Sequence, residues 1–364
     1  MRVSTYAAGQ IEIPVPPLLE QRRIVARIDE LFAEIAEGEA ALERARHGLD
    51  TWRRALLKAA VTGELTRDWR AANCPTETGA DLLAHIRADR EASVARSGRG
   101  RRAAVAEPLD MVALPHLPNG WVWARLSELG EVTGGLTKNP DREDFEDKLP
   151  FLRVANVQMG RLDLTEMKEI GVRPRERSRL LLAPNDLLIV EGNGSIDQIG
   201  RCAIWNDEIR PCVHQNHIIK MRFSERALSA WALRWLLSPS GRDQIRKVAS
   251  STSGLHTLSI SKIENLPIPV PPLDEASVAL ALIEQGFTGM SDAEHQLQSP
   301  LLNKTALRQS ILKSAFEGRL VPGDPADEPA AALLARLREV NGAIKASSGR
   351  AGRPRKSTQG ALAL

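Results

Sequence analysis

One stretch of this chain occurs twice, and the repetition dictates its plan. Ile13-Pro14-Val15-Pro16-Pro17-Leu18 returns 255 residues later as Ile268-Pro269-Val270-Pro271-Pro272-Leu273. The same offset carries Arg53, Leu57, Lys58, Ala60, Gly63 and Leu65 onto Arg308, Leu312, Lys313, Ala315, Gly318 and Leu320. The register then slips by four, so that Leu82-Leu83-Ala84 falls on Leu333-Leu334-Ala335 and Ser97-Gly98-Arg99 on Ser348-Gly349-Arg350. Solenoid periods run to roughly 50 residues. An offset this long describes a duplicated module flanking one different domain.

Each module opens on prolines, which disfavour helix for the residues before them. A helical pattern follows. In the first copy Ile24, Ile28, Leu31, Ile35, Gly38, Leu42, Ala45, Leu49, Trp52 and Leu56 recur at alternating spacings of four and three, an a/d heptad pattern. Charged residues fill the positions between. A straight helix over these residues would be on the order of 50 Å long at ~1.5 Å per residue. Gly63 supplies a C-terminal stop. The second copy carries Ala279, Ile283, Gly286, Met290, Ala293, Leu297, Pro300, Lys304, Leu307 and Ile311 on the same stripe. Gly286 and Gly289 lower its helix propensity, and Pro300 is expected to kink or break it. Two such helices can bury their stripes against each other; periodicity alone equally allows an unrelated dimerising coiled coil.

A shorter helix is expected after each arm, from Ala80 to about Ala88 and from Ala330 to about Val340. Each runs into a basic, small-residue segment, Arg96 to Arg102 and Gly349 to Lys356, of linker composition. Gly352-Arg353-Pro354-Arg355-Lys356 resembles a minor-groove AT-hook core over five residues only, and the reading it favours is a solvated tail with non-specific phosphate attraction.

The insert, about 116–265, differs in character. Its short apolar runs, Pro150 to Val154, Asp186 to Val190, Arg201 to Trp205 and His217 to Met221, read as strands between turn residues. Leu228 to about Leu237 and Gly241 to about Ala249 read as helices, an α+β order. Four polar loops punctuate the insert: Gly134 to Pro140, Glu191 to Ser195, His214 to His217 and Ser250 to His256. Asn, Gln, Ser, Thr, Lys and His are the types that read base edges and phosphates, and also the types that make ordinary turns.

Several function classes find no support. There is no GxxxxGK[ST] loop, no GxGxxG after a strand and no GxSxG elbow. No His, Glu or Asp spacing suggests a metal site, and His214 and His217 read as contact or core residues. The proline and aromatic residues an amino-methyltransferase uses to hold its target amine do not follow Asn139-Pro140. The chain thus carries no recognisable catalytic site. Net charge is +3, and the three cysteines lack CxxC spacing, which fits a reducing cytoplasm. No run of about 18 apolar residues offers a membrane span, and no signal-peptide core follows Met1.

Together these features resemble the specificity subunit of a type I restriction–modification system. The resemblance rests on residues 13–24 with their partner from Ile268, and on residues 56–65 with residues 311–320. Within the insert it rests on Leu117-Pro118-Asn119-Gly120-Trp121, Asp186-Leu187-Leu188-Ile189 and Gly200-Arg201-Cys202-Ala203. It implies a non-enzymatic subunit in which two target recognition domains each read half of a bipartite site on double-stranded DNA. Long helices would set the spacing and dock methyltransferase (M) subunits. Those would carry S-adenosylmethionine, so this chain would need no cofactor or metal, and a separate restriction (R) subunit would cut. The fold expected is α+β, one globular recognition domain flanked by two long helical arms packed as an antiparallel coiled coil.

On that plan residues 1–17 are the remnant of a preceding recognition domain and 18–66 the first arm. Residues 67–115 are a short helix and basic linker, and 116–265 the recognition domain. Residues 266–320 are the second arm, 321–345 a short helix and 346–364 a basic disordered tail. One recognition domain would be missing, so the chain is expected to pair with a second specificity fragment or with itself; two identical copies would read a symmetric site. An alternative is a truncated, non-reading protein that binds or sequesters methyltransferase subunits through its helices. Loop position and chemistry nominate Lys138, Asn139, Asn193, Ser195, Gln215, Asn216, Ser253 and His256 for DNA contact, with Arg246 and Lys262 on phosphates. The partner-binding stripe is Ile24, Ile28, Leu31, Ile35, Leu42, Leu49, Trp52 and Leu56, with Ile283, Leu297, Leu307 and Ile311.

Overall fold

The computed structural model describes residues 10, 12–73, 75–97, 109, 114–252 and 255–350. The basic tail from residue 351 on and most of the first basic segment, with Cys74 and Ser253, lie outside them, while residues 346–350, expected to be disordered, are helical. The chain forms two compact units, Gly48–Asp292 and Met1–His47 with Ala293–Leu364. Two long helices, α1 (Leu18–Val61) and α9 (Leu273–Phe316), each pass from one unit into the other.

In the Gly48–Asp292 unit, α1 is followed by α2 (Arg67–Ala72) and α3 (Gly79–Ser97). Then come β1 (Val122–Arg125), α4 (Leu126–Leu129), β2 (Gly130–Gly134), β3 (Lys148–Leu152), β4 (Lys168–Gly171) and α5 (Pro174–Leu180). The run continues through β5 (Asp186–Val190), β6 (Gly192–Asn193), β7 (Cys202–Trp205), β8 (Val213–His214) and β9 (Ile218–Phe223). It closes with α6 (Leu228–Leu237), α7 (Pro239–Val248), β10 (Ser250–Thr252), β11 (Leu255–Thr257), α8 (Ile260–Glu264) and β12 (Pro267–Val270).

The centre is an antiparallel sheet in the order β2-β9-β5-β7. Side chains alternate across a strand, and here both faces are covered, which is why β5 is apolar almost throughout. Leu187, Ile189, Ile219, Met221 and Phe223 enter the larger core beneath α6, with Trp231 and Trp235. Leu188, Val190, Ala203, Trp205 and Ile218 enter a second core with Leu152 and Val157. A smaller sheet, β4-β3-β8, covers that side.

The proline-rich repeat does structural work here. Pro267-Ile268-Pro269-Val270 is a buried strand antiparallel to β1, so the pairing of the 116–265 insert continues past residue 265 into the repeat. Proline has no amide to donate. The pairing survives because prolines alternate with Ile268 and Val270, whose amides can face β1. The outward carbonyls of Pro269 and Pro267 accept the indole N–H groups of Trp231 (2.6 Å) and Trp235 (2.9 Å). Those indoles also meet Trp121 and Trp123 edge to face, with centroids 5.4 Å apart in both pairs, an arrangement worth about 0.5–1.5 kcal/mol per pair beyond burial.

The first helix does not lack a partner. Within this unit α1 meets α9 in reverse order: Trp52 and Leu56 lie against Gly286, and Leu57 and Ala60 against Ile283. A Cβ at Gly286 would stand 2.6 Å from Leu56 Cδ2 and 2.9 Å from the Trp52 ring, so the glycine that weakens helix propensity is what lets the indole in. Arg53 lies over Phe287 at 5.8 Å. Buried Glu275 accepts hydrogen bonds from Thr66 (2.6 Å) and Trp121 (2.9 Å) and pairs with Arg70.

The other unit holds the start of α1, the end of α9 and α10 (Ala330–Arg350). Here Arg308 lies over Phe32 at 5.9 Å, the 255-residue image of Arg53 over Phe287. Arg23 pairs with Asp327 at 2.5 Å. Helix α9 runs through Pro300 without a break, contrary to the expected interruption; a proline's φ is compatible with helix, and the loss is local to one turn. Both short helices outrun their expected ends, α3 reaching Ser97 and α10 Arg350. Along the stripe, Ile283 and Ile311 are buried, while Ile24, Ile28, Leu31, Ile35, Leu42, Leu49 and Leu56 are half-buried. Trp52 and Leu307, repeat equivalents, are exposed at its margin, and the Leu297 side chain lies outside the described residues.

Candidate nucleic-acid interface

The register of the central sheet decides where its loops go. Gly134, the last residue of β2, stands opposite Ile219 near the start of β9. Val190, the last of β5, stands opposite Ile218, and Ile189 opposite Cys202, the first of β7. The loops after β2, after β5, before β7 and before β9 therefore leave the sheet at one end. Three of the four polar loops singled out from sequence are among them.

Backbone bonds stitch these loops together. Leu136 N–H donates to His214 O (2.8 Å) and Asn216 N–H to Leu136 O (2.9 Å). Glu191 N–H donates to His217 O (2.9 Å), and Leu258 N–H to Glu191 O (2.7 Å). The fourth loop joins through β11: His256 pairs with Asn193 in the small sheet β10-β11-β6. Gly135 is the tightest point. A Cβ there would lie 2.3 Å from Gln215 O and 2.4 Å from His214 O.

The candidate side chains fall into two groups. Lys138 and Ser195 are exposed, and Gln215, Asn216 and His256 half-buried, with no side-chain partner among the described residues. Asn193 Oδ1 accepts from Ser195 N (2.9 Å), which leaves its amide donors without a partner among the described residues. The second group is engaged locally. Asn139 caps the turn at Pro140–Asp144, accepting from Asp141 N (3.0 Å) and donating to its carboxylate (3.1 Å). Arg246 is held by Asp197 (2.9 Å) and Asp243 (3.1 Å). Lys262 sits on α8, whose Ile260 reaches Gly134.

His214 belongs to the core. Its Nδ1–H donates to Ile218 O (2.9 Å), and burial pushes its pKa down to about 3, so the ring is neutral at physiological pH. Its partner in sequence, His217, is exposed and reaches Glu191 at 3.2 Å. Burial pushes the Cys202 and Cys212 thiols up to about 12, so neither is a ready nucleophile. Among the described residues no group of three or more His, Cys, Asp or Glu is placed to hold a metal ion, and no helix is long and apolar enough to cross a membrane.

Sequence reasoning passed over α5. The run Arg173-Pro174-Arg175-Glu176-Arg177-Ser178-Arg179 borders this end of the sheet. Arg179 donates to Gly134 O (3.0 Å), and buried Arg142 ties Thr137 O to Glu176. Buried Lys220 donates to Arg179 O (2.8 Å) and Leu181 O (3.3 Å), fixing the helix end; burial pushes its pKa down to about 8. The signal was the density of arginines, masked by the acidic run from Asp141 to Asp147.

A mixed helix-and-sheet architecture of this kind recurs in a chain from a solved type I restriction–modification system. That chain has 20% sequence identity and a TM-score of 0.55, over 84% of this chain and 61% of that one. No protein-family model matches the chain. The curated relatives agree with one another. The specificity subunit of the type I restriction enzyme EcoKI, from Escherichia coli K12, is 27% identical over 93% of this chain. The StySPI specificity subunit, from Salmonella potsdam, is 26% identical over 93%. The chain is thus similar over most of its length to type I restriction enzyme specificity subunits, the family its repeated motifs resemble. It spans 66% of the length of each of these two relatives.

Proposed function

We propose that this chain is a non-catalytic, sequence-specific DNA-binding subunit of a type I restriction–modification complex. Residues 116–265 read one half of a bipartite site. The helices form an antiparallel coiled coil that docks methyltransferase subunits, with the restriction subunit joining that complex. The observation that carries the reading is the gathering of four polar loops at one sheet end. The side chains of Gln215, Asn216 and His256, without partners among the described residues, stand there at the end of a sheet packed against a core on each face.

The chemistry fits base reading. A side-chain amide can bond bidentately to adenine N6 and N7, and an ammonium to guanine O6 or N7 or to phosphate. Gln215, Asn216, Asn193 and His256 are the proposed base readers. Lys138, Ser195 and Lys262 flank them as backbone contacts. Asn139 and Arg246, already engaged, hold loops in place, and Ser253 remains a candidate by sequence alone.

Alanine at Gln215 tests this directly. Loss of one bidentate contact should weaken cognate binding by about 1–3 kcal/mol and relax one base position. Equal weakening on cognate and random duplexes would remove the residue from the base-reading set. Should no variant at this sheet end alter specificity while the methyltransferase subunit still co-purifies, the sequestering alternative would take its place.

A further inference from the structure

Beside the proposed reading end, one edge of the central sheet carries a charge that the fold does not balance. In the order β2-β9-β5-β7, β2 is an edge strand. Thr133 stands opposite Lys220, and Glu131 opposite Arg222. Residues two apart on a strand share a face, so these four side chains lie on one face of the sheet. Helix α5 brings Ser178 and Arg179 to them, and the six line a cleft of about 60 Å³. A single water needs about 10–15 Å³ of such space, so the cleft has room for a small polyatomic ion.

Three of its groups are incomplete. Lys220 is only 3% exposed. Its ammonium gives two of three N–H donors to Arg179 O and Leu181 O, and it has no ion-pair partner among the described residues. Nearby Asp186 is taken up by Arg222, which reaches its two oxygens at 2.7 and 2.6 Å. Burial pushes the Lys220 pKa down to about 8, as expected of a charge short of counter-charge. Thr133 Oγ1 is buried with no hydrogen-bond partner among the described residues, and an orphaned buried hydroxyl is a standing cost. Arg179 donates to Gly134 O and has no carboxylate partner among the described residues. Capping α5 does not account for this arrangement. Arg222 already reaches Leu181 O (3.1 Å), and a neutral donor would serve Arg179 O without burying a charge. Glu131, the one carboxylate lining the cleft, is exposed.

We infer that this cleft is a phosphate site, in which one tetrahedral oxyanion accepts hydrogen bonds from the Lys220 ammonium, the Thr133 and Ser178 hydroxyls and the Arg179 guanidinium. Such an ion supplies the counter-charge that Lys220 lacks and the acceptor that Thr133 lacks. Two sources offer this chemistry. One is a phosphodiester of a bound duplex, since Thr133 directly precedes the Gly134–Pro140 loop. The other is free inorganic phosphate. Only the first source rests on the proposed reading of DNA; the site itself rests on the cleft.

The test begins with the full chain and no DNA. Exchanging chloride for inorganic phosphate, at constant ionic strength and about pH 7, should raise the melting temperature by about 2 °C or more. Thr133→Val keeps the shape and removes the hydroxyl. It should melt in chloride no lower than the parent and should lose the phosphate shift, as should Lys220→Met. The variants also separate this site from the general salt effect of phosphate. Duplex binding then names the source. A slope of log K against log salt flatter by about 0.9 in Lys220→Met, with or without the phosphate shift, assigns the seat to a backbone phosphate. An unchanged slope beside a lost phosphate shift assigns it to the free ion. Arg179→Gln, exposed on α5, takes the place of Lys220→Met if that variant does not fold. A phosphate shift of equal size in the parent and Thr133→Val would overturn the inference. So would no shift in the parent together with an unchanged slope. Thr133→Val melting below the parent in chloride would overturn it too, because the hydroxyl would then already have a partner. The phosphate shift is read without DNA, so its failure and a failure of the DNA reading are told apart.

Discussion

Gly135→Ala is the sharpest perturbation of the proposed reading end. The added Cβ would stand 2.3 Å from Gln215 O, 2.4 Å from His214 O and 2.5 Å from Gln215 C. These are backbone atoms at the root of β9, and His214 is buried. Relief needs a displacement of roughly 1 Å, and overpacking of this kind costs about 1–3 kcal/mol. The softer partner is the Gly134–Pro140 loop, so Lys138 should move away from Gln215 and Asn216. For a domain of this size ~1 kcal/mol corresponds to ~2–4 °C, so the melting temperature should fall by about 2–12 °C. Cognate binding, measured at a temperature where the variant is folded, should fall at least tenfold, with random-sequence binding less affected. Gly194→Ala is the control, since nothing lies within 4 Å of its Cβ position. A folded Gly135→Ala protein that discriminates cognate DNA as well as the parent would refute the idea that these loops act as one surface.

Three further outcomes are expected. His214 has a folded pKa near 3 against an ordinary value of 6.5, so the unfolded chain takes up a proton first as pH falls. Its contribution is complete above pH 6.5 and is lost between pH 6.5 and 3, by at most about 5 kcal/mol at ~1.4 kcal/mol per pH unit; urea titrations of the parent should show a steeper acid loss than His214→Gln, and parallel curves would count against it. Glu275→Ala strips the partner from Arg70, Thr66 and Trp121 and should destabilise by about 3–5 kcal/mol, visible as a lower urea midpoint; an unchanged midpoint would mean those groups are solvated. Lys138→Ala should lower affinity for all duplexes alike and flatten the slope of log K against log salt by about 0.9; a loss confined to cognate DNA would make it a base reader instead.

How much of this was legible in sequence depends on the range of the interaction. Local patterns carried well: Leu228–Leu237 is a helix where periodicity puts it, and Asp186–Val190 a strand. The polar loops were recognisable as loops from Gly, Asn and Ser. Their convergence was not, because it follows from the pairing of β2, β9, β5 and β7, strands far apart in the chain. The pairing of β1 with β12 was hidden by two prolines, which read as a break until their alternation with Ile268 and Val270 is seen. Asn139 and Arg246 looked like contact residues because composition cannot show that Asp141 and Asp197 already hold them. Gly286 looked like a weakness because its neighbour, Trp52, lies on the other helix.

The central claim is that this chain confers sequence specificity on a modifying complex. It is tested most directly by co-expressing it with the methyltransferase subunit proposed as its partner and sequencing methylated adenines in host DNA at single-molecule resolution. The account predicts methylation at one discrete motif, relaxed at a single base by Gln215→Ala. No new methylation, with the two proteins still co-purifying, would contradict it and leave a binding protein that does not read.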